Sequence, residues 1–191
     1  MARQKDDIKR EKILDAARQL VINTGFTSLR MAEVAQKAGV ATGTLYTYYK
    51  SKEALINDAY ITTKKEIIEL LTDPVHIEQT TYLTLKNVWM AYFYFCHKNP
   101  DKMLFVEQFI YSGYIDETII EKVDEGLYEV FKYVEKGQKE GIIKNAPIEL
   151  LQAQIQAPIH DIIKLIHKKQ IKLTKNYIDS CFQMTWDALK Q

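Results

Sequence analysis

The chain has 191 residues, a formal net charge of +1 at pH 7 and 47% hydrophobic residues, so a disordered chain is excluded. No apolar run reaches the ~18–20 residues that a membrane-spanning helix needs. We therefore expect a soluble cytoplasmic protein without a membrane partner. The seven glycines and four prolines favour long helices with short connections over a turn-rich β fold.

Charge is distributed unevenly along the chain. Residues 1–52 contain ten Lys/Arg and five Asp/Glu, which leaves +5 there and −4 on the remainder. A basic segment on an acidic body suggests a polyanionic partner for that segment alone. The alternative is a chance excess on solvated helix faces, which charge alone does not exclude.

Four helices are predicted first, at about 7–24, 28–38, 42–48 and 52–71. Gly25 should end the first helix and Gly39 the second, since glycine adopts positive φ without steric cost. Thr27 or Ser28 should cap the second helix, and Ser51 the fourth.

Five more helical patterns follow the break at Asp73-Pro74, at about 80–97, 100–111, 116–140, 147–168 and 174–190. No segment alternates strongly enough for a strand. The predicted fold is all-α, with a three-helix head, a linking fourth helix and a five-helix body. The predicted domains are 1–52, and 53–191 including the fourth helix.

A helix-turn-helix is predicted between Met31 and Tyr49. Ala35 provides the small residue where two steeply crossing helices touch, and Gly39 tolerates the turn. Val34, Val40 and Leu45 should fill the space behind them. An ordinary αα-hairpin with a glycine turn is the alternative. The agreement of all these positions, together with the basic excess, favours DNA binding.

The third helix would then expose residues that suit base edges, thymine methyls and phosphates. The exposed set is Thr42, Gly43, Thr44, Tyr46, Thr47 and Tyr48. Lys50 and Lys52 follow at the start of the fourth helix, where their ammonium groups would meet backbone phosphates.

Three segments carry a specific pattern: Gly25-Phe26, Val34-Ala35-x-x-Ala38-Gly39-Val40, and Gly43-Thr44-Leu45-Tyr46-x-Tyr48-Tyr49-x-Ser51-Lys52-Glu53-x-Leu55. This pattern resembles the N-terminal signature of the TetR family of bacterial transcriptional regulators. The resemblance implies a homodimer on a double-stranded DNA operator and a body that binds a small-molecule effector. It also implies that the effector releases DNA.

Carried over by position, Thr42, Thr44 and Tyr46 resemble the family's base or near-base contacts. Tyr48 and Lys52 resemble its phosphate contacts.

The chain departs from the pattern at three places. Ala41 stands where Ser is frequent, so Thr42 or backbone should cap the third helix. Leu29-Arg30 replaces a pair of hydroxyl residues, and we expect Arg30 to supply the phosphate contact instead. Tyr49 stands where Phe is usual, which we expect to change little.

Aromatic residues are concentrated in the body, where they suit an apolar cavity with a few orienting hydrogen bonds. The predicted effector pocket is lined by Trp89, Tyr92, Phe93, Cys96, Phe105, Phe109 and Tyr128. A purely structural aromatic core is an equal alternative. Because no basic cluster matches a phosphorylated ligand, we expect a neutral or weakly polar, apolar or aromatic effector.

The last two helices carry more apolar residues than a monomer needs. The predicted homodimer interface contains Ile155, Ile159, Ile162, Ile166, Tyr177, Cys181 and Met184. Pro158 is expected to kink the eighth helix.

Neither a metal site nor a cofactor is predicted, because the four histidines show no metal-ligand spacing. No acid/base pair or nucleophile constellation indicates catalysis. The sequence therefore predicts a non-enzymatic, ligand-responsive transcriptional regulator, with a repressor as the favoured role. A helical protein-binding module and an all-α enzyme using the aromatic pocket are the alternatives.

Overall fold

The computed structural model describes residues 2–110, 112–113 and 117–191. Its helices are α1 (Ala2–Ser28), α2 (Met31–Ala38), α3 (Thr42–Tyr48), α4 (Lys52–Leu71), a 3₁₀ turn (Pro74–His76), α5 (Thr81–Lys98), α6 (Pro100–Ile110), α7 (Glu117–Lys139), α8 (Ile148–His167) and α9 (Lys175–Leu189). The predicted all-α class is confirmed. Across the described ranges, none of the helices combines the length and apolar character that a membrane crossing requires.

Local chemistry explains most helix ends in the head. Gly25 breaks α1 with φ 80°, and Gly39 ends α2 in the left-handed conformation with φ 68°. Ser51 caps α4, because its Oγ accepts the Ala54 amide at 3.1 Å. The predicted caps at Thr27 or Ser28 are wrong, since α2 begins after Arg30 and has no side-chain cap.

Two compact units divide the chain. The first comprises Met1–Lys65 and Asp101–Val123, and the second comprises Glu66–Pro100 and Asp124–Gln191. The division therefore falls inside α4 and places most of α6 with the head helices. The predicted domain boundary between residues 52 and 53 stays a prediction.

An aromatic cluster explains why α6 belongs to the first unit. The ring of Phe26 lies 5.9 Å from that of Phe105 and 5.8 Å from that of Phe109. Phe109 also stacks on Tyr60 of α4 at 4.2 Å between ring centroids. Such ring pairs stabilise a core beyond the apolar area that they bury.

The second unit has a core of its own. Buried aliphatic residues from α5, α7, α8, α9 and the loop before α8 form one cluster: Leu85, Val134, Ile143, Leu151 and Leu189. Trp89 stacks on Phe93 at 5.2 Å and meets Phe182 of α9 edge-on at 5.6 Å. Helix α8 continues through Pro158.

Candidate nucleic-acid interface

The α2–turn–α3 segment has most of the predicted internal packing, although Val40 is only half-buried. Val34 and Leu45 are fully buried, and Ala35 is buried where the sequence places the small residue. The Gly39 and Val40 amides donate to the carbonyls of Gln36 and Ala35 at 3.2 and 3.0 Å. These bonds satisfy the last carbonyls of α2 while the chain turns.

Helix α3 exposes four of its seven residues to solvent, and Leu45 is its one buried residue. Thr42, Gly43, Tyr46 and Thr47 are exposed, and Thr44 and Tyr48 are half-buried. Thus all six residues that were expected to contact DNA from this segment lie on one short, uncharged helix. The Thr47 hydroxyl donates to the Thr44 carbonyl at 2.7 Å.

The N-terminus of α3 lacks a side-chain cap. Ala41 is its N-cap residue, with an extended backbone and no capping hydrogen bond. The expected Thr42 cap is therefore not formed. A Cβ added at Gly43 would meet no atom within 4 Å. This end of the helix is consequently open to an incoming surface.

The three expected phosphate-binding cations differ in their surroundings. Arg30 is exposed beside the first turn of α2, and Lys50 is exposed between α3 and α4. Lys52 donates to the Phe26 and Thr27 carbonyls at 3.2 and 3.3 Å. Lys52 therefore joins α4 to the last turn of α1, whatever its part in DNA binding.

Two carboxylates that bind tyrosines at the C-terminal end of α3 were not predicted from the sequence. The Tyr48 hydroxyl donates to the Asp6 carboxylate, and this bond raises the pKa of Tyr48. The Tyr49 hydroxyl donates to the Asp58 carboxylate at 2.6 Å. The expectation that tyrosine at position 49 changes little is corrected here, because phenylalanine could not form this bond. Asp6 lies 42 positions before Tyr48, and Asp58 lies on the helix that follows Tyr49, so no local sequence pattern predicts either contact.

The structure divides the expected effector-pocket residues between the units. Trp89, Phe93 and Cys96 are buried in the second unit, with Tyr92 beside them on α5. Phe105 and Phe109 belong instead to the aromatic cluster of the first unit. Tyr128 is 53% exposed, beneath the Lys132 ammonium, which is not the enclosed position expected for it.

Polar groups accompany the buried aromatic residues of the second unit. Tyr92 Oη lies 2.7 Å from Nε2 of His160, which is buried on α8. The indole N–H of Trp89 has no hydrogen-bond partner among the described residues, although Trp89 is only 2% exposed. Burial raises the pKa of the Cys96 thiol to about 12. Nowhere in the described ranges do three or more His, Cys, Asp or Glu residues form a group that could hold a metal ion.

The expected dimer residues also differ in exposure. Tyr177 and Met184 of α9 are 57% and 64% exposed, and Cys181 between them is half-buried. On α8, Ile155, Ile162 and Ile166 are half-buried. Ile159 is fully buried within the chain. It offers no surface to a partner, so its expected place at the interface centre is corrected to the core.

The packed turn and the exposed α3 define a helix-turn-helix DNA-binding protein. The family model for bacterial regulatory proteins of the tetR family matches residues 13–59. The model for the tetracyclin repressor-like C-terminal domain matches residues 60–191. The chain belongs to the TetR family and is a transcriptional regulator with a helix-turn-helix domain.

Known proteins agree with this assignment. A TetR family transcription regulator from Marinobacter aquaeolei VT8 has a TM-score of 0.92, 26% identity and 99% coverage of both chains. An uncharacterized HTH-type transcriptional regulator of Bacillus subtilis is 26% identical over 74% of this chain and 75% of its own length. FadR from Bacillus subtilis, solved in complex with stearoyl-CoA, shares the fold at 19% identity, with a TM-score of 0.72 over 92% of this chain and 96% of that chain.

Proposed function

We propose that the protein is a ligand-responsive repressor that binds a pseudo-palindromic operator as a homodimer. The exposed, uncharged surface of α3 carries this proposal, because its hydroxyls and aromatic rings can meet base edges without a net charge of their own. Thr42, Thr44 and Tyr46 are the proposed base contacts. Gly43 and Thr47 adjoin them.

Backbone phosphates are the proposed partners of Arg30, Tyr48, Lys50 and Lys52. Each cation that neutralises a phosphate releases counterions, so affinity falls steeply with salt. Lys50→Ala should weaken binding to every duplex and flatten the slope of log affinity against log salt by about one. Glu149→Gln, which also changes one charge but lies at the start of α8, is the control. Equal affinity of the wild type at low and high salt would refute phosphate binding.

The homodimer is proposed to form through α8 and α9. Exposed Tyr177 and Met184 with half-buried Ile162, Ile166 and Cys181 support this surface, since the described part of the chain leaves these apolar side chains partly or largely uncovered. Met184→Glu should give monomers, because it would bury an unpaired charge at each copy of the interface. Because Met184 is exposed in the single chain, the substitution should leave the fold of the subunit intact.

Thiol reactivity provides the matched measurement for the dimer. In the wild type, the interface should protect Cys181 from Ellman's reagent at pH 8. In Met184→Glu the half-buried Cys181 should react, while buried Cys96 should stay unreactive in both proteins. Equal Cys181 rates in the two proteins, with a monomer in sedimentation of the wild type, would refute the interface.

The effector is proposed to be a small apolar or aromatic molecule held by the second unit. Trp89, Phe93 and Cys96 provide apolar surface. The Trp89 N–H has no hydrogen-bond partner among the described residues, so it is a donor that a ligand oxygen would satisfy. Phe105 and Phe109 are left out, since they pack in the first unit. Tyr128 is left out because it is exposed.

N-phenyl-1-naphthylamine, a neutral aromatic fluorophore, is a suitable probe for this effector site. It should bind saturably and lower the affinity of the protein for operator DNA. Operator DNA should in turn lower the affinity of the protein for the probe by the same factor, as linkage requires. Trp89→Phe should weaken probes that carry an acceptor oxygen more than it weakens this one. Saturable binding without any effect on operator affinity would refute effector control by this site.

A further inference from the structure

Helix α3 is held to the rest of the head by few groups. It has seven residues, its N-terminus lacks a side-chain cap, and Leu45 is its one buried member. A single buried leucine resists withdrawal of a helix from a core, but it does not fix rotation of that helix about its own axis. Contacts near its C-terminus must therefore set which residues of α3 point outward, and the bond from Tyr48 to Asp6 is exposed to solvent.

Tyr49, the C-cap residue of α3, provides such a contact. Its ring is buried, and its hydroxyl donates to Asp58 of α4 at 2.6 Å. Burial, and then the hydrogen bond to the Asp58 carboxylate, raise the pKa of the Tyr49 hydroxyl, so it stays a donor. Hydrogen bonds to an ionised acceptor are about twice as strong as those between neutral groups.

The Asp58 carboxylate is itself held in place. Nη2 of Arg10 on α1 lies 2.7 Å from each of its two oxygens. The same guanidinium nitrogen donates to the Thr62 hydroxyl at 3.3 Å. Asp58 thus joins three helices of the first unit: α1 through Arg10, α4 through its own backbone, and α3 through Tyr49.

We propose that Asp58 is a positioning residue for DNA reading, which fixes the orientation of the recognition helix through the Tyr49 hydroxyl. This inference rests on the proposed function of α3 as the reading helix. It assigns operator discrimination to a carboxylate that need not touch DNA. Because Asp58 lies on α4, a displacement of α4 changes the direction of α3 through the same bond.

A double-mutant cycle in the full-length protein tests the proposal. The proteins are the wild type, Tyr49→Phe, Asp58→Ala and the double variant, with Tyr94→Phe as a hydroxyl-removal control on the exposed face of α5. Fluorescence anisotropy at one salt concentration gives the affinity for the duplex that the wild type enriches from a random library. The same measurement on a scrambled duplex of equal length gives the discrimination ratio. Thermal unfolding of each protein is followed in parallel.

We expect Tyr49→Phe to lower the discrimination ratio about tenfold, the factor that ~1.4 kcal/mol from one charge-assisted hydrogen bond represents. Affinity for the scrambled duplex should change less than about twofold, since the surface charge is unchanged. Asp58→Ala should lower the ratio at least as much. Tyr49→Phe should add nothing in the Asp58→Ala background, because the bond is already absent.

Three results would overturn the proposal. One is a folded Tyr49→Phe protein with the wild-type ratio. Another is an equal loss of affinity for both duplexes, which indicates general weakening and not misdirected reading. The last is full additivity in the double variant. If Asp58→Ala does not fold, Tyr49→Phe alone decides. A wild type that enriches no sequence would instead refute the proposed function on which the inference rests.

Discussion

Gly43 is the one residue of α3 without a side chain, and it separates two of the proposed reading residues. An added Cβ would meet nothing within 4 Å in the free protein. Gly43→Ala should therefore raise the free energy of unfolding by up to about 1 kcal/mol, because alanine is the better helix former. It should nevertheless weaken operator binding, since the methyl group would stand between α3 and the DNA.

Thermal unfolding and anisotropy titration of the Gly43→Ala variant separate these two effects. Gly137→Ala is the contrasting substitution, because its Cβ would lie 2.6 Å from Ile143 Cδ1 and 2.9 Å from Thr81 Cγ2. It should destabilise the second unit. A Gly43→Ala protein that binds operator as tightly as the wild type would show that DNA does not approach this position closely.

The bond between Tyr48 and Asp6 places a carboxylate beside a proposed phosphate contact. To bind phosphate, the Tyr48 hydroxyl must leave Asp6, and the acidic group repels the incoming backbone. Asp6→Asn should therefore strengthen DNA binding several-fold at low salt, with a smaller effect at high salt. Glu149→Gln makes the same charge change in α8 and should have little effect. An unchanged affinity for Asp6→Asn would remove Tyr48 from the phosphate contacts.

Helix bounds were largely predictable from the sequence, because caps and glycines act locally. The predicted limits of α3 match the observed Thr42–Tyr48, and Gly39 and Ser51 act as expected. Gly25 breaks the helical backbone, but helical residues resume beyond it and α1 extends to Ser28. The 3₁₀ turn Pro74–His76 was predicted only as a break. These helix ends were predictable because the residues that determine them lie within a few positions of the end.

Contacts between distant residues were not predictable in the same way. The assignment of α6 to the first unit depends on Phe26 meeting Phe105 and Phe109, which lie some eighty positions away along the chain. Aromatic spacing along α5 and α6 gave no means of separating these rings from those around Trp89. The Tyr49–Asp58 bond was not predictable for a related reason, because the resemblance to the family gives no reason to distinguish tyrosine from phenylalanine at position 49.

Phe109 provides the test of the aromatic cluster at the level of its helix. It is fully buried, while its neighbour Ile110 is 42% exposed. Phe109→Ala should lower the free energy of unfolding by about 3–5 kcal/mol, because it removes packing and leaves a cavity. Ile110→Ala should cost well under half of that. Equal losses in urea denaturation would show that the cluster does not hold α6 in the first unit.

On the scale of the whole molecule, charge is divided between a basic N-terminal segment and an acidic remainder. Residues 1–52 carry +5 and the rest −4, so attraction to DNA should be concentrated at the N-terminal end of the chain. Helix α4 contributes residues to both units. Under the proposed function, an effector in the second unit can thus alter the head by displacing one helix.

Under the proposed function a two-fold dimer reads DNA with α3, and enrichment from a random duplex library by the full-length protein tests this most directly. We predict an inverted repeat whose half-sites are centred about one helical turn, ~34–36 Å, or a multiple of it apart. Tyr46→Ala should relax preference at particular base pairs by ~1–3 kcal/mol each without abolishing binding. Failure to enrich any sequence, or enrichment of a single half-site by a monomer, would contradict the account.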